Sequence, residues 1–195
     1  MKIITIPHSN LRIQAQSVTQ VDRKLQHFIS DLEMTLAKKK NPKGVGLAAP
    51  QVNMKWRIFS TQLPRATQDV QSVLQTYINP RITDHSEGHS YGGDKKEPTL
   101  EGCLSIPGFY GPVPRWEWLD LTYDFIDGNE LKSASGHFTD FEARVIQHEY
   151  DHLEGILFID HVIAYNLPLY KEDSETEKLE ELEPELILAL AETAK

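Results

Sequence analysis

Apolar residues between Val21 and Leu36 fall at Val21, Leu25, Phe28, Ile29, Leu32 and Leu36, a spacing of three and four that gathers them on one face of a helix. Lys38, Lys39 and Lys40 follow, where the negative end of a helix dipole favours cations. The pattern predicts an amphipathic helix from about residue 20 to 39, stopped before Pro42. From Glu117 to Phe125 the period shortens to two: Leu119, Leu121, Tyr123 and Phe125 alternate with Trp118, Asp120, Thr122 and Asp124. Asp127-Gly128 then supplies a turn before Leu131, and the stretch predicts a β-hairpin. Shorter strands are expected at Trp56 to Ser60 and at Leu74 to Asn79. Strands with isolated helices, rather than a repeating βαβ order, indicate an α+β fold.

Thr139-Asp140-Phe141-Glu142 has the form of a capping box, and Gly155 stands where a helix C-cap would fall. A helix is therefore expected from about 140 to 153. Ala143, Val145, Ile146 and Leu153 spread around its circumference, so this helix is expected to be buried among antiparallel strands, with its polar residues needing partners. Two segments read as loose: His85 to Pro98, with Gly88, Gly92 and Gly93, and the charged stretch from Lys171 onward. Within the latter, Ser174 to Glu177 can cap a helix carrying Leu179 and Leu182. Pro184 can begin a second helix whose Leu186, Ile187 and Leu190 pack as a narrow stripe on the preceding domain.

Composition narrows the setting. Hydrophobic residues are 39% and charged residues 25% of the 195, ordinary values for one globular domain with its own core. The opening MKIITIPHSNLRIQ lacks the apolar stretch of a secretory signal and the Arg/Ser-rich pattern of a transit peptide. No run of about 18 apolar residues predicts a membrane span. Cys103 is the single cysteine and cannot pair within the chain, which fits a reducing compartment such as the cytoplasm. A net charge of -9 offers no field for a phosphate backbone, so direct nucleic-acid binding is not expected.

The chemistry concentrates in His148-Glu149-Tyr150-Asp151-His152, an HExxH motif inside the expected helix. Residues four apart on a helix are rotated by about 40° and displaced by about 6 Å, so both imidazoles can reach one metal ion. Glu149, one residue after His148, falls beside the ion, where it can act as general base. The motif alone is shared with zinc peptidases, which take a third ligand from downstream. A metzincin would need a histidine where Phe158 stands. Spacing leaves Glu172, Glu175 and Glu177 open as downstream ligands, although they lie in a charged, apolar-poor stretch. Cys103, upstream in Glu101-Gly102-Cys103-Leu104-Ser105, is the better candidate, since a thiolate with two imidazoles leaves a tetrahedral ion one open position. His85 and His89 are also four apart, but the glycines around them argue against a rigid ligand pair. In Gly44-Val45-Gly46-Leu47-Ala48-Ala49-Pro50-Gln51 the two glycines permit close approach of backbone to a ligand. Ala49, in place of a third glycine, rules out a dinucleotide fingerprint.

In this order and spacing the three segments resemble the peptide deformylase family, with its GxGxAAxQ, EGCxS and HExxH motifs. General resemblance runs from about residue 3 to 165 and includes Ile78-Asn79-Pro80; the segments Ser60 to Tyr77 and His85 to Pro98 and the acidic tail depart from it. The resemblance implies that Cys103, His148 and His152 hold one divalent ion, ferrous iron in the cell, with Ni2+, Co2+ or Zn2+ able to substitute. It implies that Glu149 is the general base and that the Gln51 amide and the Leu104 backbone N–H stabilise the oxyanion. Val45 and Gly46 would lie along the peptide, and Val145, three residues before His148 on the same helix face, would line the methionine pocket. The expected activity is removal of the N-formyl group from N-formylmethionyl nascent peptides with release of formate; the alternative is an HExxH metallopeptidase. Residues 1–170 would form the catalytic domain and 171–195 an acidic, helical tail. That tail has nine acids against three lysines, so a transient ribosome contact is not expected to run through it. A bacterial cytoplasm is the expected location, with an organelle left open.

Overall fold

The computed structural model describes residues 1–41, 43–63, 73–94 and 97–193. Pro42, the middle of the divergent Ser60 to Tyr77 segment, Lys95 and Lys96, and the last two residues of the tail lie outside them. After a short 3-10 turn at Ser9–Arg12 comes helix α1 (Arg23–Ala37), then strands β1 (Gly46–Ala48), β2 (Ile58–Leu63) and β3 (Val73–His85). Short strands β4 (His89–Ser90), β5 (Gly93–Asp94) and β6 (Glu97–Pro98) precede β7 (Leu100–Cys103), β8 (Ile106–Pro112) and β9 (Arg115–Trp116). The hairpin β10 (Trp118–Asp127) and β11 (Glu130–Thr139) leads into α2 (Asp140–Leu153) and α3 (Phe158–Ala164). The chain closes with β12 (Tyr170–Glu172), β13 (Leu179–Glu181) and α4 (Pro184–Thr193).

Strand pairing is antiparallel throughout the named strands. One sheet has the order β1-β2-β3-β10-β11, which leaves β1 at an edge, and a second runs β13-β12-β8-β7. The fold is α+β, as the sequence indicated. Helix α1 starts on Asp22, whose carboxylate accepts from Leu25 N at 2.7 Å, and buries Leu25, Phe28, Leu32 and Leu36 against Leu47, Ile58 and Ile78. The β10–β11 hairpin closes at Asp127↔Glu130 around Gly128, which has φ 63°. Helix α2 packs on β1, β2, β9 and β11. Its Ala143, Ile146 and Leu153 join Phe59, Tyr77, Leu119 and Leu121 in one core cluster.

Several local expectations are corrected. Strand β3 does not end at Asn79 but continues through Pro80 to His85. Asn79, at φ 50°, turns out of the ladder where the β3–β10 register shifts, and its side chain instead pairs both backbone groups of Val18 at 2.8 Å. The capping box at Thr139 does not form: Asp140 takes φ 53° and the Thr139 hydroxyl donates to its carboxylate, leaving the helix N-cap without a side-chain bond. His85 to Pro98 is less loose than its glycines suggest. The His85 ring stacks on Trp116 at 3.7 Å, and β4 pairs with β9. Leu179 is in a strand rather than a helix, because β13 finds a partner in β12, which itself pairs with β8. Helix α4 does form, and its Ile187 and Leu190, with Leu182 just ahead of it, pack against the cluster of Leu11, Phe158 and Val162, whereas Leu186 of the expected stripe is exposed.

The end of α2 matches its expected stop. Gly155, at φ 73°, sends its N–H to His152 O at 3.4 Å while Ile156 N reaches Asp151 O at 2.9 Å, a Schellman closure. A Cβ at Gly155 would lie 2.7 Å from the backbone carbonyl of Arg12. Gly155→Ala should therefore lower unfolding stability by about 1–3 kcal/mol, from both the positive φ and the collision. Urea denaturation checks this; an unchanged midpoint would show that the turn relaxes freely.

Candidate metal centre

Helix α2 brings His148 and His152 to one side, and strand β7 ends opposite them at Cys103. The ligating atoms of these three residues lie within 4.8 Å of one another, and Cys103 Sγ is 3.2 Å from His152 Nε2. Cys103 and His152 are buried and His148 nearly so. Burial alone would raise the Cys103 thiol, but the adjoining His152 and His148 imidazoles bring it well below its ordinary range. A thiolate and two imidazoles converging in a largely buried site form a donor set for a single metal ion. Glu172, one of the downstream alternatives, is instead in β12 and takes the Tyr110 hydroxyl at 3.3 Å. Among the described residues, Cys103, His148 and His152 are the group able to hold an ion.

The residue that organises the site is Glu101, which motif reading passed over as a neighbour of the cysteine. Its buried carboxylate accepts from Arg115 Nε at 3.0 Å and Nη2 at 2.9 Å, and from Arg144 Nη1 at 2.7 Å. His148 Nδ1 lies 3.1 Å from Glu101 Oε2, which turns the opposite ring nitrogen towards Cys103 and His152. Burial would raise the Glu101 carboxyl, yet Arg115 and His148 hold it well below the usual carboxylate range. Arg115 also reaches Asp151 at 2.5 Å, and Asp151 takes His161 Nε2 at 2.8 Å. The network thus joins β7, β9, α2 and α3. Arg144 extends it to the divergent segment by donating to Ser90 O at 2.7 Å. Gln147, just before the motif, seals α2 to β9 by accepting from Trp116 N at 2.9 Å and donating to Trp116 O at 3.0 Å. The signal for these partners in the sequence was limited to Arg144 and Gln147 lying inside a helix expected to be buried, where polar side chains need partners.

Glu149 is buried beside the ligands, and its Oε2 has no hydrogen-bond partner. Burial pushes its carboxyl up to about 7, against the pull of His148 and His152; a bound cation would draw it back down. Gly46 lies directly over this carboxylate: a Cβ there would meet Glu149 Oε1 at 2.2 Å. Gln51 Oε1 accepts from Ala48 N at 2.8 Å, which aims its Nε2 at Ser105 Oγ (3.3 Å) and Cys103 Sγ (3.5 Å). A cleft of about 270 Å³ opens over these groups, with Val45, Gly46, Leu104, Val145, His148 and Glu149 in its lining. His85 and His89 are held at Trp116, apart from the ligand group.

Comparison with known proteins gives a consistent result. A family model described as polypeptide deformylase matches residues 1–166. Peptide deformylase 2 of Nostoc is 39% identical over 166 residues, covering 83% of this chain and 86% of that protein. The peptide deformylase of Thermomicrobium roseum is 37% identical over 180 residues, covering 91% and 94%. Among solved structures, peptide deformylase from Thermotoga maritima superposes with a TM-score of 0.67 at 31% identity, over 82% of this chain and 95% of that one. Arabidopsis thaliana peptide deformylase 1B, with an inhibitor bound, gives 0.68 at 29% identity over 83% and 81%.

Replacing Glu101 by Gln should leave the buried Arg144 without its counter-charge and Arg115 with that of Asp151 alone. The expected loss is about 3–5 kcal/mol of unfolding free energy, the scale of breaking a buried ion pair from one side. Denaturation of the metal-free protein measures this independently of ligand binding, and a wild-type midpoint would remove the carboxylate from its organising role.

Proposed function

The chain belongs to the polypeptide deformylase family and is a metal-dependent hydrolase that removes the N-formyl group of formylmethionyl nascent peptides; on that premise we propose the following division of labour among its residues. Cys103, His148 and His152 hold one divalent ion, ferrous iron in the cell, for which Ni2+, Co2+ or Zn2+ can substitute. When bound, the ion supplies Lewis acidity and lowers the pKa of water. The observation that carries this reading is the convergence of those three ligating atoms beside a buried carboxylate oxygen with no other partner.

Glu149 takes the proton from water as the water oxygen adds to the formyl carbon. The Gln51 amide, aimed by Ala48, and the Leu104 backbone N–H donate to the oxygen that becomes negative. Glu149 then delivers its proton to the amine nitrogen as the carbon–nitrogen bond breaks, so formate and a free N-terminus leave. Val45 and Gly46 offer the peptide a backbone edge, a role supported by β1 pairing with β2 alone in its sheet. Val145 lines the cleft one helical turn from His148 and takes the methionine side chain.

Residues 1–170 act as the catalytic unit, with 171–195 as an acidic appendage. No helix among the described residues is long and apolar enough to cross a membrane. We assign the reaction to a bacterial cytoplasm or an organelle, with any ribosome contact transient and independent of tail charge.

Glu149→Gln is expected to keep its metal while formate release falls by about 10² or more, the usual scale for a lost general base. Metal analysis and a formate assay on one preparation decide it; near-normal turnover would exclude Glu149 from proton transfer. Val145→Trp should reduce kcat/KM for formyl-Met peptides more than for formyl-Ala peptides. An equal loss on both would put the methionine pocket elsewhere.

A further inference from the structure

We propose that Lys39 and Lys43 form a cationic subsite at the mouth of the cleft, which favours formylmethionyl peptides carrying a carboxylate side chain within three residues after the methionine. The proposal rests on the reading that the peptide lies along Val45 and Gly46.

Direction follows from the backbone. Gly46 is buried against Glu149, which fixes that end of the segment at the reacting bond. Val45 is half-buried, Gly44 is packed closely against Leu36 and Lys39, and Lys43 is exposed, so the segment reaches solvent at Lys43. A peptide running beside it advances about 3.3 Å per residue and comes level with Lys43 about 10 Å from its formyl end, three residues on. Lys39 reaches the same place from the end of α1, where its carbonyl accepts from Gly44 N at 3.2 Å. Both lysines line the cleft with Val45 and Gly46.

Charge supplies the selectivity. The carboxylates lining the cleft are Glu101 and Glu149, 7% and 3% exposed and committed to its floor, so neither neutralises the mouth. Lys39 and Lys43 make no ion pair among the described residues. The adjoining groove, which Lys39 also lines, adds Lys2 and Lys38 against the single carboxylate of Asp31. On a chain of net charge -9 this cationic rim is a local reversal of sign at the edge of the cleft. Exposed pairs of this kind are worth a few-fold in binding and are screened by salt.

The test uses formyl-Met tetrapeptide amides with Glu, Gln or Lys at the second, third or fourth position, assayed for kcat/KM at low and at high ionic strength. The wild type should prefer Glu to Gln by about three- to fivefold at the third or fourth position in low salt, and should disfavour Lys. The preference should collapse in high salt, vanish in a Lys39→Gln/Lys43→Gln variant and invert in Lys39→Glu/Lys43→Glu. Because each enzyme is read as a ratio between peptides, a general loss of activity does not mimic the result. A wild-type Glu/Gln ratio of one in low salt, or a ratio unchanged by charge reversal, would overturn the subsite. Absence of formate from every peptide, Gln included, would instead count against the deformylase reading itself.

Discussion

A carboxylate as deeply buried as that of Glu101 must be compensated where it sits, and the way it is compensated determines where the rest of the site lies. Two guanidinium groups and one imidazole converge on its two oxygens from β9 and α2. Removing any one partner would leave the buried charges less completely compensated in low dielectric, so β7, β9 and α2 hold a fixed relation. Cys103, two residues along β7 from Glu101, is thereby delivered to the two histidines of α2. The same carboxylate fixes the ring of His148, so its free nitrogen faces the ligand group rather than solvent.

Around that fixed point the chemistry is assembled from groups held on two sides. Gln147 docks α2 onto the backbone of Trp116, and Gly155 ends the helix immediately beyond His152, so both histidines stand on a helix that is pinned along its length. From the other side, β1 lies at a sheet edge and places Gly46 in contact with Glu149, while Gln51 is turned inward by its bond to Ala48. Two buried side-chain atoms of the site have no hydrogen-bond partner, Glu149 Oε2 and His152 Nδ1. Glu149 stands beside the ligand group rather than within it, so its open oxygen fits a group whose partner is water or substrate.

Much of this was legible in the sequence, for reasons that differ from element to element. Helix α1 and the β10–β11 hairpin follow from hydrophobic period, because each has one buried face. The paired histidines follow from helical geometry once α2 is recognised. What the sequence did not disclose is non-local pairing. Glu101, Arg115 and Arg144 are far apart in the chain, and nothing near any of them announces that they share a buried bond. The same limit explains Leu179: its local capping signals favour a helix, but pairing of β13 with β12 overrides them. Thr139 fails as a cap because the chain leaves β11 by a sharp turn, at positive φ, that carries its side chain away from the helix N–H groups. Asn79 and Pro80 look like a strand end, yet a bulge absorbs them and the strand continues.

The proposed ligand set is tested most directly by X-ray absorption at the metal edge of anaerobically purified protein. The expected spectrum contains one sulfur and two imidazole nitrogens from the protein, and the sulfur contribution is lost in Cys103→Ala. A native spectrum with no sulfur scatterer, or one unchanged by removal of Cys103, would contradict the Cys103, His148 and His152 centre.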